Sequence, residues 1–297
     1  MKPVITSVAA SLFLLFALTS CDSGNSNGSA NPAGNGSSGG TGETPVGGTS
    51  LDVTKPASPV RLIFIHHSCG ANWLANDNGG LGNALNDNNY YVCDTYYGWN
   101  AEPGDGLGDH TDTTNWPLWF NDTKMPYVYK SASHETWNGN DIAQPAGENE
   151  IIMFKSCFPM SEVGSSIDDE KAIYNGLLTY FAAHQDKFFV LVTPPGEAKV
   201  SSSALTKELC DWLVNRDSGW LKGYAHKNVF VYDFYCTLSE TGSHHWVSGG
   251  TETHTWDASY DGTSPYHSGD DHPNATGNKK ATSEFIPLLN AAYNSWK

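Results

Sequence analysis

The chain is short of positive charge. Lys and Arg number 16 against 32 Asp and Glu, a formal net charge of −16 over 297 residues. No basic stretch interleaved with aromatics occurs, which argues against a nucleic-acid partner. The acidity serves solubility. Long apolar runs are missing too: Val8 to Leu18 is too short to span a bilayer comfortably. Neither His-Glu-x-x-His nor Cys-x-x-Cys is present, which removes the usual zinc patterns. The segment Asp77 to Gly82 lacks a following Lys-Ser/Thr pair, so it reads as a turn into a helix rather than a phosphate cradle. Gly106 to Asp112 has oxygen donors without EF-hand spacing. No internal repeat is apparent.

At the N-terminus Lys2 precedes the apolar run, and Leu18-Thr19-Ser20-Cys21 closes it. A charged start, a short apolar stretch and small residues before a cut describe an export signal. The cysteine in that place makes the segment similar to a bacterial lipoprotein signal. That resemblance implies removal of residues 1–20, lipid on Cys21, and a protein exported and anchored to the cell envelope without a spanning helix. Residues 21–58 are rich in Gly, Ser, Asn, Thr, Ala and Pro, a composition that makes a flexible tether. Residues 59–297 are the expected single folded domain. Five of the six cysteines remain after Cys21, an odd number, so at least one thiol stays free or pairs between chains. Cys210 and Cys236 sit in adjacent predicted elements and are the favoured pair for a disulfide.

Apolar periodicity predicts strands at 60–65, 90–95, 150–154, 188–192 and 229–234. Helices are predicted over 79–88, 167–184, 203–215 and 278–296, the last bent or interrupted by Pro287. Alternation with near-continuous apolar strands implies a three-layer α/β/α fold on a parallel five-stranded sheet. Two long insertions, 99–147 and 237–268, begin at strand carboxyl ends and should crowd the edge where open sheets place their chemistry.

That edge receives Arg61-Leu-Ile-Phe-Ile-His-His-Ser-Cys-Gly70, a strand running straight into polar residues. Ser68 on a sharp turn beside Gly70 is a candidate nucleophile, against the blander role of a helix-capping serine. Its base would be His272, in Ser268-Gly-Asp-Asp-His-Pro-Asn274 ahead of the last helix. Asp270 or Asp271 would orient that imidazole. His66 and His67 alternate faces if the strand continues, and His67 adjoins the serine. Lys155 is read equally as a solvated strand-end lysine and as an oxyanion contact.

These blocks resemble the SGNH/GDSL hydrolase superfamily: a strand followed by serine and helix, and a closing Asp-x-x-His-Pro-Asn before a C-terminal helix. The likeness runs from about Val60 to Trp296 and matches an exported subset with His-His-Ser-x-Gly, Phe-Lys-Ser-Cys-Phe-Pro and His-Pro-Asn blocks. The resemblance implies a flavodoxin-like sheet and ester hydrolysis without a cofactor. Ser68 would be nucleophile, His272 base and Asp270 its partner. The backbone N–H groups of Ser68 and Gly98 would face the oxyanion. Departures are plain. His66 and His67 stand where Gly and Asp are usual. The third block, near 155–159, has no asparagine, leaving Ser156 or Lys155 to substitute. Three residues before His272 stands Gly269 instead of an aspartate. Trp73, Trp99, Trp116, Trp119 and Trp137 suit stacking on sugar rings, or else packing of a long loop. With deacetylases of carbohydrates in the family, an O-acetylated polysaccharide is the expected substrate. Rival expectations are a glycan-binding lipoprotein without catalysis and, more distantly, a metal-dependent hydrolase.

Overall fold

Five apolar strands make the frame. The computed structural model describes residues 50–156, 166–196, 198 and 203–297. In chain order the elements are β1 (Val60–Ile65), α1 (Ser68–Leu74), α2 (Leu81–Asp87), β2 (Tyr90–Thr95), α3 (Trp116–Trp119), α4 (Met125–Lys130), β3 (Ile151–Lys155), α5 (Asp168–Ala183), β4 (Phe188–Val192), α6 (Ser203–Val214), β5 (Val229–Tyr232), α7 (Phe234–Ser239), β6 (His244–Ser248), β7 (Thr251–Thr255) and α8 (Ala275–Trp296). The sheet runs β2-β1-β3-β4-β5, all pairs parallel. This is the flavodoxin-like order, with helices on both faces.

Side-chain alternation divides the core. Ile63, Ile65, Ile152, Phe154, Phe189 and Leu191 pack with Trp116, Trp119, Phe181 and Leu209 on one face. Leu62, Phe64, Ile151, Met153, Phe188 and Val190 pack with Trp73, Leu85, Phe285 and Leu289 on the other. Strands buried on both sides need the apolar runs seen in the sequence.

Several expectations change. β5 ends at Tyr232 because Asp233 caps α7, its carboxylate accepting from Cys236 N at 2.9 Å. The second insertion contains α7 and the antiparallel β6–β7 hairpin, turned by Gly249 and Gly250 at φ 58° and 80°. Pro287 lies inside α8, which continues to Trp296; burial of Phe285, Leu288 and Leu289 outweighs the missing N–H. Cys210 and Cys236 are buried free thiols, as is Cys93, so the expected bridge between Cys210 and Cys236 is absent. Cys157 lies outside the described residues, as do the signal and Cys21. Within the segment read as tether, the chain from Leu51 is bonded to the folded body. Leu51 N donates to Gly250 O at 2.8 Å, and Asn294 Nδ2 donates to Asp52 O and Thr54 O at 3.0 and 2.9 Å. Among the described residues, no helix is long and apolar enough to cross a membrane.

Candidate active site

Ser68 and the loop before α8 both stand at the carboxyl edge of the sheet. β1 leads directly into α1, so Ser68 emerges at that edge as the first residue of α1, with His67 as N-cap. α8 starts at the same edge. Its last turns reach the opposite edge, where Asn290 accepts from Tyr90 Oη at 2.8 Å and Tyr293 Oη donates to Glu150 at 2.7 Å. Those partners stand at the beginnings of β2 and β3. Nearer the start of α8, Thr282 accepts from Trp73 Nε1 at 2.9 Å, and Asn278 Nδ2 donates to Asn78 at 2.8 Å. These bonds lay α8 beside α1. Both helices therefore begin on the edge where Ser68 and His272 stand.

The loop before α8 is a closed turn. Ser268 N donates to His272 O at 2.8 Å, and His267 and Pro273 form an antiparallel bridge. Gly269 sits at φ 102°, which explains glycine at this position. Asp270 Oδ1 lies 3.2 Å from His272 Nδ1, accepts from His272 N at 3.0 Å and from the Ser268 hydroxyl at 2.6 Å. The Ser268 hydroxyl first, then the His272 N–H and ring, hold the Asp270 carboxyl down to about 2. Asn274 caps α8, accepting from Gly277 N at 3.0 Å. Both candidate acids are exposed; Asp270 is the one seen at hydrogen-bond distance from the imidazole.

The remaining expected contacts are committed elsewhere. Gly98, at φ 77°, gives its N–H to Asp109 Oδ1 at 2.9 Å, so the donor expected for the oxyanion is engaged. His67 is buried against the first insertion. Its Nε2 bonds to Gly108 O, and its ring stacks 3.8 Å from exposed Tyr97. It therefore braces the insertion instead of lining an open pocket. Ser156 is buried, accepting from Trp116 Nε1 at 2.9 Å and pairing with Thr113 Oγ1 at 3.0 Å. Lys155 is fully buried rather than solvated, on the same sheet face as Met153, and its Nζ donates to Ser156 O at 3.1 Å.

His66 and Asp94 form a buried pair that sequence reasoning missed. His66 Nε2 lies 3.2 Å from Asp94 Oδ2, which also accepts from Thr136 N at 2.9 Å and Thr136 Oγ1 at 2.7 Å. The partners are far apart in sequence, and only the β1–β2 register, Phe64 opposite Asp94, sets them side by side. Four of the five tryptophans named above belong to the core, and the fifth, Trp99, is partly buried. Trp73, Trp116, Trp119 and Trp137 are buried, and Trp99 stacks on Trp119 at 5.6 Å.

A separate cluster lies after β5. Asp233, Cys236 and His254 place their donor atoms within 4.8 Å of one another. Each is already satisfied: Asp233 Oδ2 pairs with His254 Nε2 at 2.8 Å, Oδ1 accepts from Thr193 Oγ1 at 2.9 Å, and Cys236 Sγ donates to Thr255 O at 3.2 Å. Burial first, then the Asp233 charge, push the Cys236 thiol well up, which opposes the thiolate a metal needs.

No protein-family model matches the chain, and no curated protein matches it. Among solved structures, a crystal structure of a "putative acylhydrolase" from Bacteroides fragilis is similar at 10% identity and a TM-score of 0.43. The alignment covers 82% of this chain and 91% of that one. A likeness of that degree speaks to neither substrate nor catalysis.

Proposed function

We propose that the protein is a serine ester hydrolase of the SGNH type. The observation that carries this reading is the Asp270–His272 pair, held at the sheet edge where Ser68 begins α1. A carboxylate at Nδ1 keeps the proton there and leaves Nε2 as the base. Ser68 Oγ would attack the acyl carbonyl as Nε2 takes its proton. The imidazolium, facing Asp270, would return that proton to the departing alcohol. Water would then release the acid and restore the serine. The Ser68 N–H is the proposed oxyanion donor, and Lys155, buried at the end of β3 beside β1, is the proposed cation to support it.

The proposed substrate is a small acyl ester, acetyl on a carbohydrate by preference. With the tryptophans assigned to the core, the support for a ring-bearing substrate is exposed Tyr97, stacked on His67 next to the serine. The proposed location is the cell envelope, through lipid on Cys21. Palmitate incorporation by wild type and not by Cys21→Ala would bear this out, and incorporation by both would refute it.

The test of the chemistry is labelling with a fluorophosphonate, followed by mapping of the modified peptide, alongside release of 4-nitrophenol from 4-nitrophenyl acetate. Label on Ser68, and release by wild type but not Ser68→Ala, is the expected result. Equal release by both would end the serine mechanism. One observation favours a second reading, glycan binding without turnover: the Gly98 N–H is held by Asp109. Absence of both label and hydrolysis, with retained binding of an acetylated glycan, is its signature. Metal-dependent hydrolysis is disfavoured by the satisfied donors at Asp233, Cys236 and His254; activity lost to a chelator and kept in Ser68→Ala would revive it.

A further inference from the structure

Two groups meet His67 O. Gly70 N donates to it at 2.6 Å, and His66 Nδ1 lies 3.3 Å away. That oxygen belongs to the peptide unit whose N–H is Ser68's. No described peptide bond is cis, and in a trans planar unit the C=O and N–H point to opposite sides. Fixing the His67 oxygen therefore fixes the direction of the Ser68 N–H. We infer that Asp94 and His66 form a positioning relay that aims the Ser68 N–H at the oxyanion, an inference that rests on the ester-hydrolase reading.

The relay is over-determined. Asp94 and His66 are both fully buried. Asp94 Oδ2 is set by both Thr136 donors and receives His66 Nε2. Asp94 N also donates to Ser133 O at 3.0 Å, and Ser133 Oγ donates to Asp94 O at 2.9 Å. On its other side the His66 ring is bounded by the Gly70 backbone and by the Phe64 ring at 4.6 Å. The ring cannot swing without disturbing one of these. Asp94 Oδ1, by contrast, is buried with no hydrogen-bond partner. A buried carboxylate left half satisfied costs stability and calls for a reason other than packing. Aligning His66, and through it the Ser68 peptide, supplies one.

Neither residue touches the substrate in this scheme, so the signature is a split in the kinetic constants. An oxyanion donor acts where charge develops, which moves kcat and leaves KM alone. For Asp94→Asn and His66→Gln, kcat on 4-nitrophenyl acetate should fall about tenfold or more with KM within about twofold, since full loss of a donor costs about 10²–10³. The rate of fluorophosphonate labelling at Ser68 should fall in step. Thermal unfolding separates misaiming from misfolding. Should either variant fail to fold, Thr136→Val decides: it keeps the pair, loosens Asp94, and should lower kcat about threefold. Wild type that neither labels nor hydrolyses overturns the hydrolase reading and the relay with it. Wild type that labels at Ser68, with folded variants labelling at the wild-type rate, overturns the relay and leaves the hydrolase reading standing.

Discussion

His66 fills the space that a side chain at position 70 would need: a Cβ at Gly70 would lie 2.5 Å from the His66 ring. Glycine in the Ser-x-Gly block thus serves the imidazole beneath it. Gly70→Ala should push His66 off its bonds or bend the first turn of α1. Overpacking of this kind costs about 1–3 kcal/mol, and a lowered midpoint in urea denaturation checks it. An unchanged midpoint would mean that the turn has room to adjust.

Asp270 stays ionised down to about pH 2, because the Ser268 hydroxyl and then the His272 N–H and ring favour its charge. A depressed carboxyl contributes stability that is present above its unfolded value and lost as pH falls through the folded one. The stability difference between wild type and Asp270→Asn should therefore be constant above about pH 4 and close between about pH 4 and 2. The same variant should lose roughly 10²–10⁴ in kcat at pH 7, through loss of the imidazole's orientation. Wild-type kcat in Asp270→Asn would transfer the acid's role to Asp271 or abolish it.

Core and platform aromatics should separate cleanly. Trp119, fully buried and stacked on Trp99, should cost about 3–5 kcal/mol on change to alanine. Exposed Tyr97 should leave the melting temperature nearly unchanged on the same substitution and raise KM for an aromatic or sugar ester. Calorimetry and steady-state kinetics on the two variants measure both effects. A raised KM in folded Trp119→Ala at unchanged stability would return the tryptophans to the binding surface.

Asp233 and His254 give the second insertion its own pH dependence. Burial opposes charge on both, but their mutual bond prevails, raising His254 above 6.5 and lowering Asp233 below 3.8. The imidazole's contribution is complete below about pH 6.5 and fades as pH rises through the folded value. The carboxylate's is complete above about pH 3.8 and fades as pH falls. Their shared window lies between these limits. His254→Gln should be destabilised most near pH 5–6, by about 3 kcal/mol, and visibly less at pH 9, as urea titrations at the two pH values would show. A deficit of equal size at both pH values would mean that packing, not the ion pair, holds His254.

Strands were legible where burial is two-sided. The run 188–192 appears in the structure with those limits because every residue in it is apolar and buried; 90–95 keeps its limits too, although Asp94 breaks the apolar pattern. β5 was overrun by two residues because Asp233 and Phe234 look strand-like until the capping bond to Cys236 N is seen. The β6–β7 hairpin was hidden by its own composition: His244, His245 and His254 take inward or pairing positions that apolar residues usually fill. Its signal was the Gly249-Gly250 pair, a two-residue turn flanked by alternation. The Asp270–His272 contact could be anticipated because both residues sit in one short loop. The occupation of Gly98 by Asp109 and the burial of His67 under Tyr97 could not, since each depends on how the first insertion folds back.

The strap from Leu51 to Thr54 lies beside the final turns of α8 and the start of β2, at the edge of the sheet opposite the one from which Ser68 emerges. A pull on Leu51 would load Asn294 and the hairpin tip at Gly250 before it reached Ser68.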